Sequence, residues 1–130
     1  MFLLKATLGG NMINTFDLDV VNLFLKTCKS EINKKKCYFI GYRNLNINNK
    51  VISAKQALID IGIMKEKDIW NYIKLLEAKD CFKIERDRDH FRDMNSEVYI
   101  FKKNINRKLV YIKLTINHKG LICISFHESY

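Results

Sequence analysis

The sequence predicts an α+β fold, with N-terminal helices packed on a C-terminal antiparallel sheet, and three observations carry that expectation. Apolar residues recur at helical intervals through the first half of the chain and beyond, three segments rich in Val, Ile, Tyr and Phe close it, and the chain contains no proline. A chain of 130 residues that is 48% hydrophobic can bury one core and leaves no room for a second domain of ordinary size. Residues 1–130 are therefore read as a single domain.

The opening Met1-Phe2-Leu3-Leu4 is apolar, but Lys5 interrupts it and Gly9-Gly10 ends it, which is too short for a signal core or a membrane span. Met12 offers an alternative start, with residues 1–11 as an appended leader. Residues 14–32 space Phe16, Val20, Val21, Leu23, Phe24, Leu25 and Ile32 as a helix would, with Asp17 and Asp19 at the end where the helix dipole favours carboxylates. Lys34-Lys35-Lys36 ends it, and Cys37 to Tyr42 has the aromatic, β-branched character of a short strand. Asn44 to Lys50 reads as a polar, asparagine-rich loop. Ser53 caps a second helix with Ala54, Ala57, Leu58 and Ile61 on its inner stripe, stopped by Gly62. A third helix is expected from Lys65 to Ala78, with Ile69, Tyr72, Ile73, Leu75 and Leu76 facing inward and Trp70 beside them. Cys81 to His90 reads as a strand start and an exposed, charged loop. Strands over 97–102, 108–116 and 121–127 end the chain.

The 23 Lys and Arg residues against 14 Asp and Glu leave a formal charge of +9, which favours a polyanionic partner: nucleic acid, an acidic protein, or less often an anionic membrane surface. Cys28, Cys37, Cys81 and Cys123 have no paired spacing, and His90, His118 and His127 add no ligand spacing to them, so no structural metal, cofactor or disulfide framework is expected. Reduced thiols and a cytoplasmic location, with no membrane association, are the corresponding expectation.

Chemistry concentrates near the C-terminus. Strand side chains alternate, so Val110, Ile112, Leu114 and Ile116 point one way and Tyr111, Lys113 and Thr115 the other. In the last strand Ile122, Ile124 and Phe126 are expected to form the apolar set, with Cys123, Ser125 and His127 opposite. Requiring both apolar sets to face one core restricts the hairpin register to steps of two residues. One such register sets Tyr111 directly across from His127; the next sets it across from Ser125 with His127 on the diagonal. Phenol, imidazole and the Lys113 ammonium suit RNA cleavage without metal. The 2′-hydroxyl must lose a proton, the 5′-oxygen must gain one, and the phosphorane charge must be stabilised. Imidazole can serve either proton role, and such a mechanism leaves a 2′,3′-cyclic phosphate. Tyrosine and histidine also occur on sheet faces for β-propensity alone.

The run Val110-Tyr111-Ile112-Lys113-Leu114-Thr115-Ile116, the histidine turn at His118 and the strand Leu121 to Phe126 together resemble the C-terminus of the MqsR-type (motility quorum-sensing regulator) mRNA interferase toxins. Leu76 to Lys83, Glu97-Val98-Tyr99 and the Ala57 to Leu76 stretch extend the resemblance over residues 52–128. It implies a RelE-like bacterial ribonuclease fold, mRNA as substrate, and a cognate antitoxin that in this family often also binds DNA. By the same resemblance Lys83 matches a lysine that contacts phosphate and Tyr111 an active-site tyrosine. Ser96 or Asn95 falls where the family has glutamine, and His127 where it has lysine, so these two positions depart from the pattern.

Among the remaining cations, Arg86, Arg88 and Arg92 interleave with Asp87, Asp89 and Asp93 in a loop suited to an RNA backbone. Lys102, Lys103, Arg107 and Lys108 form a cleaner cluster for sequence-independent phosphate contacts. A rival reading comes from Ser53 to Phe82, which resembles a helix-turn-helix with the terminal hairpin as a wing, and hence a DNA-binding regulator. Glu66, Asp68 and Glu77 on its recognition helix would be repelled by phosphate.

Overall fold

A computed structural model of the chain describes residues 3–8, 11–40, 44–86 and 97–129. Strands β1 (Leu3–Leu8) and β2 (Asn11–Phe16) pair antiparallel, so the described residues of the stretch expected to be a leader and the start of the first helix are strand. Helix α1 (Leu18–Asn33) starts after it, because the Asp17 carboxylate accepts from the Asp19 backbone N–H at 2.8 Å and supplies the N-cap. Strand β3 (Cys37–Phe39) follows, and the asparagine-rich stretch expected to be a loop folds as strands β4 (Asn44–Ile47) and β5 (Lys50–Ser53). Asn48 and Asn49 make the turn between them with φ of 51° and 64°, a left-handed conformation that asparagine tolerates.

Helix α2 (Ala54–Asp60) is capped as expected by Ser53, whose hydroxyl accepts from Gln56 N–H at 3.0 Å. The long third helix is not formed. A 3-10 turn at Glu66–Asp68 leads into α3 (Ile69–Ile73), and a second 3-10 turn occupies Ala78–Asp80. Two effects end the helix early. Glu77 and Asp80 cap one another reciprocally, and Leu76 and Ala78 are both buried while Leu75 is exposed, a pattern no single helical face provides.

The remaining strands are β6 (Cys81–Arg86), β7 (Glu97–Ile105), β8 (Lys108–Asn117) and β9 (Gly120–Glu128). With β3 they form one five-stranded sheet in the order β3-β9-β8-β7-β6. The sheet is mixed rather than antiparallel, because β3 runs parallel to β9 at its edge. The pairing of Cys37, Tyr38 and Phe39 with Leu121, Ile122 and Cys123 is extended at its ends by Leu121 N–H to Lys36 C=O at 2.9 Å and Ile40 N–H to Cys123 C=O at 3.1 Å. Gly120 permits it: a Cβ there would lie 2.3 Å from the Lys36 oxygen.

The principal core lies between the helices and one face of this sheet. Val21, Phe24, Leu25, Cys28 and Ile32 of α1 meet Phe101, Val110, Ile112, Leu114, Leu121, Cys123 and Phe126, with the Phe24 and Tyr99 rings stacked at 3.7 Å. Each such aliphatic or aromatic side chain contributes about 1.5–3 kcal/mol by leaving water. The β7–β8 turn is tied to the end of α2 by the Asn106 amide, which donates to Ile61 C=O at 2.8 Å.

The opposite face differs from the expected alternation. A β-bulge inserts Ile124, since Lys113 pairs with Ser125 while Leu114 pairs with Cys123. Cys123 therefore joins the principal core with Leu121 and Phe126, and Ile122 and Ile124 turn to the other face. There, with Val98 and Ile100, they form a second buried cluster against which Ile40 and Tyr111 pack. Among the described residues no helix is long and apolar enough to cross a membrane.

Candidate active site on the sheet face opposite the helices

Of the two registers allowed by the sequence, the β8–β9 pair adopts the one that sets Tyr111 opposite His127. Their rings stack with centroids 5.2 Å apart and planes 19° apart. On its other side Tyr111 pairs with Lys102 of β7, so phenol, imidazole and ammonium share one row across three strands. Phe82 extends this row. It lies at the irregularity between Cys81 and Lys83, is 55% exposed, and has the Lys102 Nζ 4.2 Å from its ring centroid.

A cleft of about 360 Å³ opens over this row, bounded by Phe82, Lys102, Tyr111 and His127 from the sheet, Ser129 beyond it, and Asn46 and Asn48 from the β4–β5 hairpin. The His127 imidazole is held by its own backbone neighbour, with Nδ1 2.8 Å from the Glu128 carbonyl oxygen. A carbonyl can only accept, so Nδ1 carries the proton that it donates there. Nε2 is thereby left as the nitrogen that exchanges a proton with a ligand.

One row further along the sheet, Lys83 pairs with Ile100 and Ile100 with Lys113. Glu85, two residues from Lys83 on the same strand face, receives both ammonium groups: Lys83 Nζ lies 3.2 Å from its Oε2 and Lys113 Nζ 3.4 Å from its Oε1. Partial burial raises the Glu85 carboxyl, but the hydrogen bonds and charges of the two lysines outweigh this and hold it below its ordinary 4.5. Pairs this exposed contribute no more than about 1 kcal/mol to stability. Their effect is positional, keeping two flexible cations over one part of the face.

Tyr111 is shifted the other way. Partial burial, then the nearby Glu85 charge, raise its phenol above 10.0. It stays protonated at neutral pH and acts as a donor.

The residues singled out in the sequence separate accordingly. Tyr111, His127 and Lys102 meet at the cleft, and Lys83 and Lys113 flank it under the control of Glu85. Lys103 does not join them: it pairs with the core residue Val110, and its ammonium binds Asp80 at 3.3 Å. Arg86 ends β6, paired with Glu97. Arg88, Arg92, His90, Asn95 and Ser96 lie outside the described residues. Glu85, Phe82, Asn46 and Asn48 were missed. Glu85 was legible from the two-residue spacing to Lys83, whereas Asn46 and Asn48 were hidden by reading their segment as a loop. Among the described residues no group of three or more His, Cys, Asp or Glu could hold a metal ion. No protein-family model, curated protein or solved structure matches the chain.

Proposed function

We propose that this protein is a metal-independent endoribonuclease, a toxin of the MqsR type with a RelE-like fold, which cleaves mRNA in the cytoplasm and so arrests translation and growth. The observation that carries the reading is the stacked Tyr111–His127 pair at the floor of a cleft that also presents Lys102.

In this reading Lys102 engages the scissile phosphate, and its charge stabilises the phosphorane. In the neutral tautomer whose Nδ1–H donates to the Glu128 carbonyl, His127 Nε2 takes the proton of the 2′-hydroxyl as that oxygen forms its bond to phosphorus. The bond from phosphorus to the 5′-oxygen breaks, and the Tyr111 phenol donates the proton which that oxygen needs. Solvent then returns the proton to Tyr111 and removes the one on His127. The products are a 2′,3′-cyclic phosphate and a 5′-hydroxyl, and no electrons are exchanged. Lys83 and Lys113, aligned by Glu85, steer the neighbouring backbone.

The formal charge of +9 also suits an acidic antitoxin that covers the same face and excludes RNA. The rival winged-helix reading is disfavoured by α3, whose five residues give little more than one turn to lay in a major groove. Purified protein incubated with single-stranded RNA in EDTA tests the proposal: discrete fragments ending in cyclic phosphate support it. Intact RNA together with tight binding to duplex DNA would favour the regulator instead.

A further inference from the structure

The β4–β5 hairpin brings two asparagines to the rim of the Tyr111–His127 cleft. The backbone explains one of them. Asn48 occupies a left-handed turn position, where asparagine is common whatever its side chain does. Asn46 has no such reason: it lies within β4, opposite Val51, at a strand position that asparagine disfavours. Both line the same cleft, both are exposed, and neither side-chain amide hydrogen-bonds to any described residue. An amide carries a donor and an acceptor side by side, the complement of a nucleobase edge. Across the cleft the exposed Phe82 ring, with Lys102 beside it, offers a stacking surface and a phosphate contact. The cleft volume of about 360 Å³ lies within the range of roughly 300–1,000 Å³ typical of small-molecule sites, enough for a base.

We propose that the β4–β5 hairpin reads one base of single-stranded RNA seated over Tyr111 and His127. Asn46 and Asn48 are the specificity-determining residues, and Phe82 stacks the neighbouring base. The inference rests on the ribonuclease reading for the choice of RNA, but it concerns recognition and is tested by binding.

The test measures fluorescence anisotropy of labelled single-stranded rA, rC and rU oligomers with wild type, Asn46→Ala/Asn48→Gly and Asn46→Asp. Glycine at 48 preserves the left-handed turn. Asn46→Asp keeps the side chain's shape but removes its donor, and matched melting temperatures confirm that each variant folds. Wild type is expected to favour one oligomer by about tenfold, the double variant to compress that spread to about threefold or less, and Asn46→Asp to change the order of preference. Equal binding of all three by wild type, or a full spread retained by the double variant, overturns the inference. Wild-type preference that the variants erase, without RNA cleavage, would sustain it and sink the nuclease reading. Cleavage with an unchanged spread would do the reverse.

Discussion

Tyr111 and His127 are cross-strand partners whose rings stack at 5.2 Å, and the imidazole is further pinned by the Glu128 carbonyl at 2.8 Å from Nδ1. Two side chains able to move protons are thus held against each other by strand pairing rather than by a mobile loop. Their setting leads to predictions that separate binding, folding and chemistry.

Lys102 and Lys103 are adjacent in sequence but have different jobs. Lys102 reaches the cleft, whereas Lys103 binds Asp80. Lys102→Ala is expected to weaken RNA binding and lower the slope of log affinity against log salt by about 0.7, the value for one phosphate contact on a single strand. Lys103→Ala should leave that slope unchanged and cost about 1 kcal/mol of stability. Titrations at several salt concentrations and urea unfolding separate the two effects.

Two glycines with positive φ should differ in the cost of a methyl group. At Gly120 the added Cβ would meet backbone, the Lys36 oxygen at 2.3 Å, and Gly120→Ala should destabilise by about 2–3 kcal/mol as β3 is pushed from β9. At Gly62 the nearest atom is the Asn106 side-chain nitrogen at 3.0 Å, a softer neighbour than backbone, so Gly62→Ala should cost less, about 1 kcal/mol, from its φ of 83° and from loosening the Asn106–Ile61 bond. Urea midpoints of the two variants check the order.

The protein should lose stability in mild alkali. Burial pushes the Cys28 and Cys123 thiols up from 9.0, Cys81 to about 12, and the Tyr99 phenol, also opposed by the Glu97 charge, to about 12. These groups ionise first in the unfolded chain, which then binds fewer protons than the folded one. Their contribution is full below the unfolded values of 9.0 and 10.0 and is lost as pH rises toward the folded ones. The urea midpoint in reductant should fall between about pH 8 and about pH 10. An unchanged midpoint contradicts this.

The α+β class and the capped α2 were legible because each rests on a local rule, such as Ser53 at an N-cap, and apolar alternation in β8, which admits only steps of two, narrowed the hairpin to two registers, one of which sets Tyr111 against His127. The bulge at Ile124 was not. Leu121 to Ile124 is apolar at every position, so no polar residue marks which side faces the core. The parallel pairing of β3 was hidden as well, because a three-residue strand carries no signal of direction. The third helix failed where Glu77 and Asp80 cap each other, a tertiary compromise that buries Ala78 and lets Asp80 reach Lys103. The cleft's far wall was missed because asparagine reads as loop by propensity, although Asn48-Asn49 is itself a hairpin turn.

Glu85→Gln tests the carboxylate between the two lysines. The folded-state value of Glu85 is depressed, so its contribution to stability is present above 4.5 and lost as pH falls through the folded value. The variant should flatten that part of the acid limb. With the carboxylate charge gone, RNA should bind about threefold tighter, while turnover falls because Lys83 and Lys113 lose their shared anchor. Affinity and turnover that move together would point to a purely structural role.

The most direct measurement is the single-turnover cleavage rate of single-stranded RNA, in EDTA, by wild type, Tyr111→Phe and His127→Ala, with RNA affinity and melting temperature measured on the same samples. The account predicts that each substitution slows cleavage by about 10²–10⁴-fold while the protein remains folded and still binds RNA. Cleavage by Tyr111→Phe at the wild-type rate would contradict it.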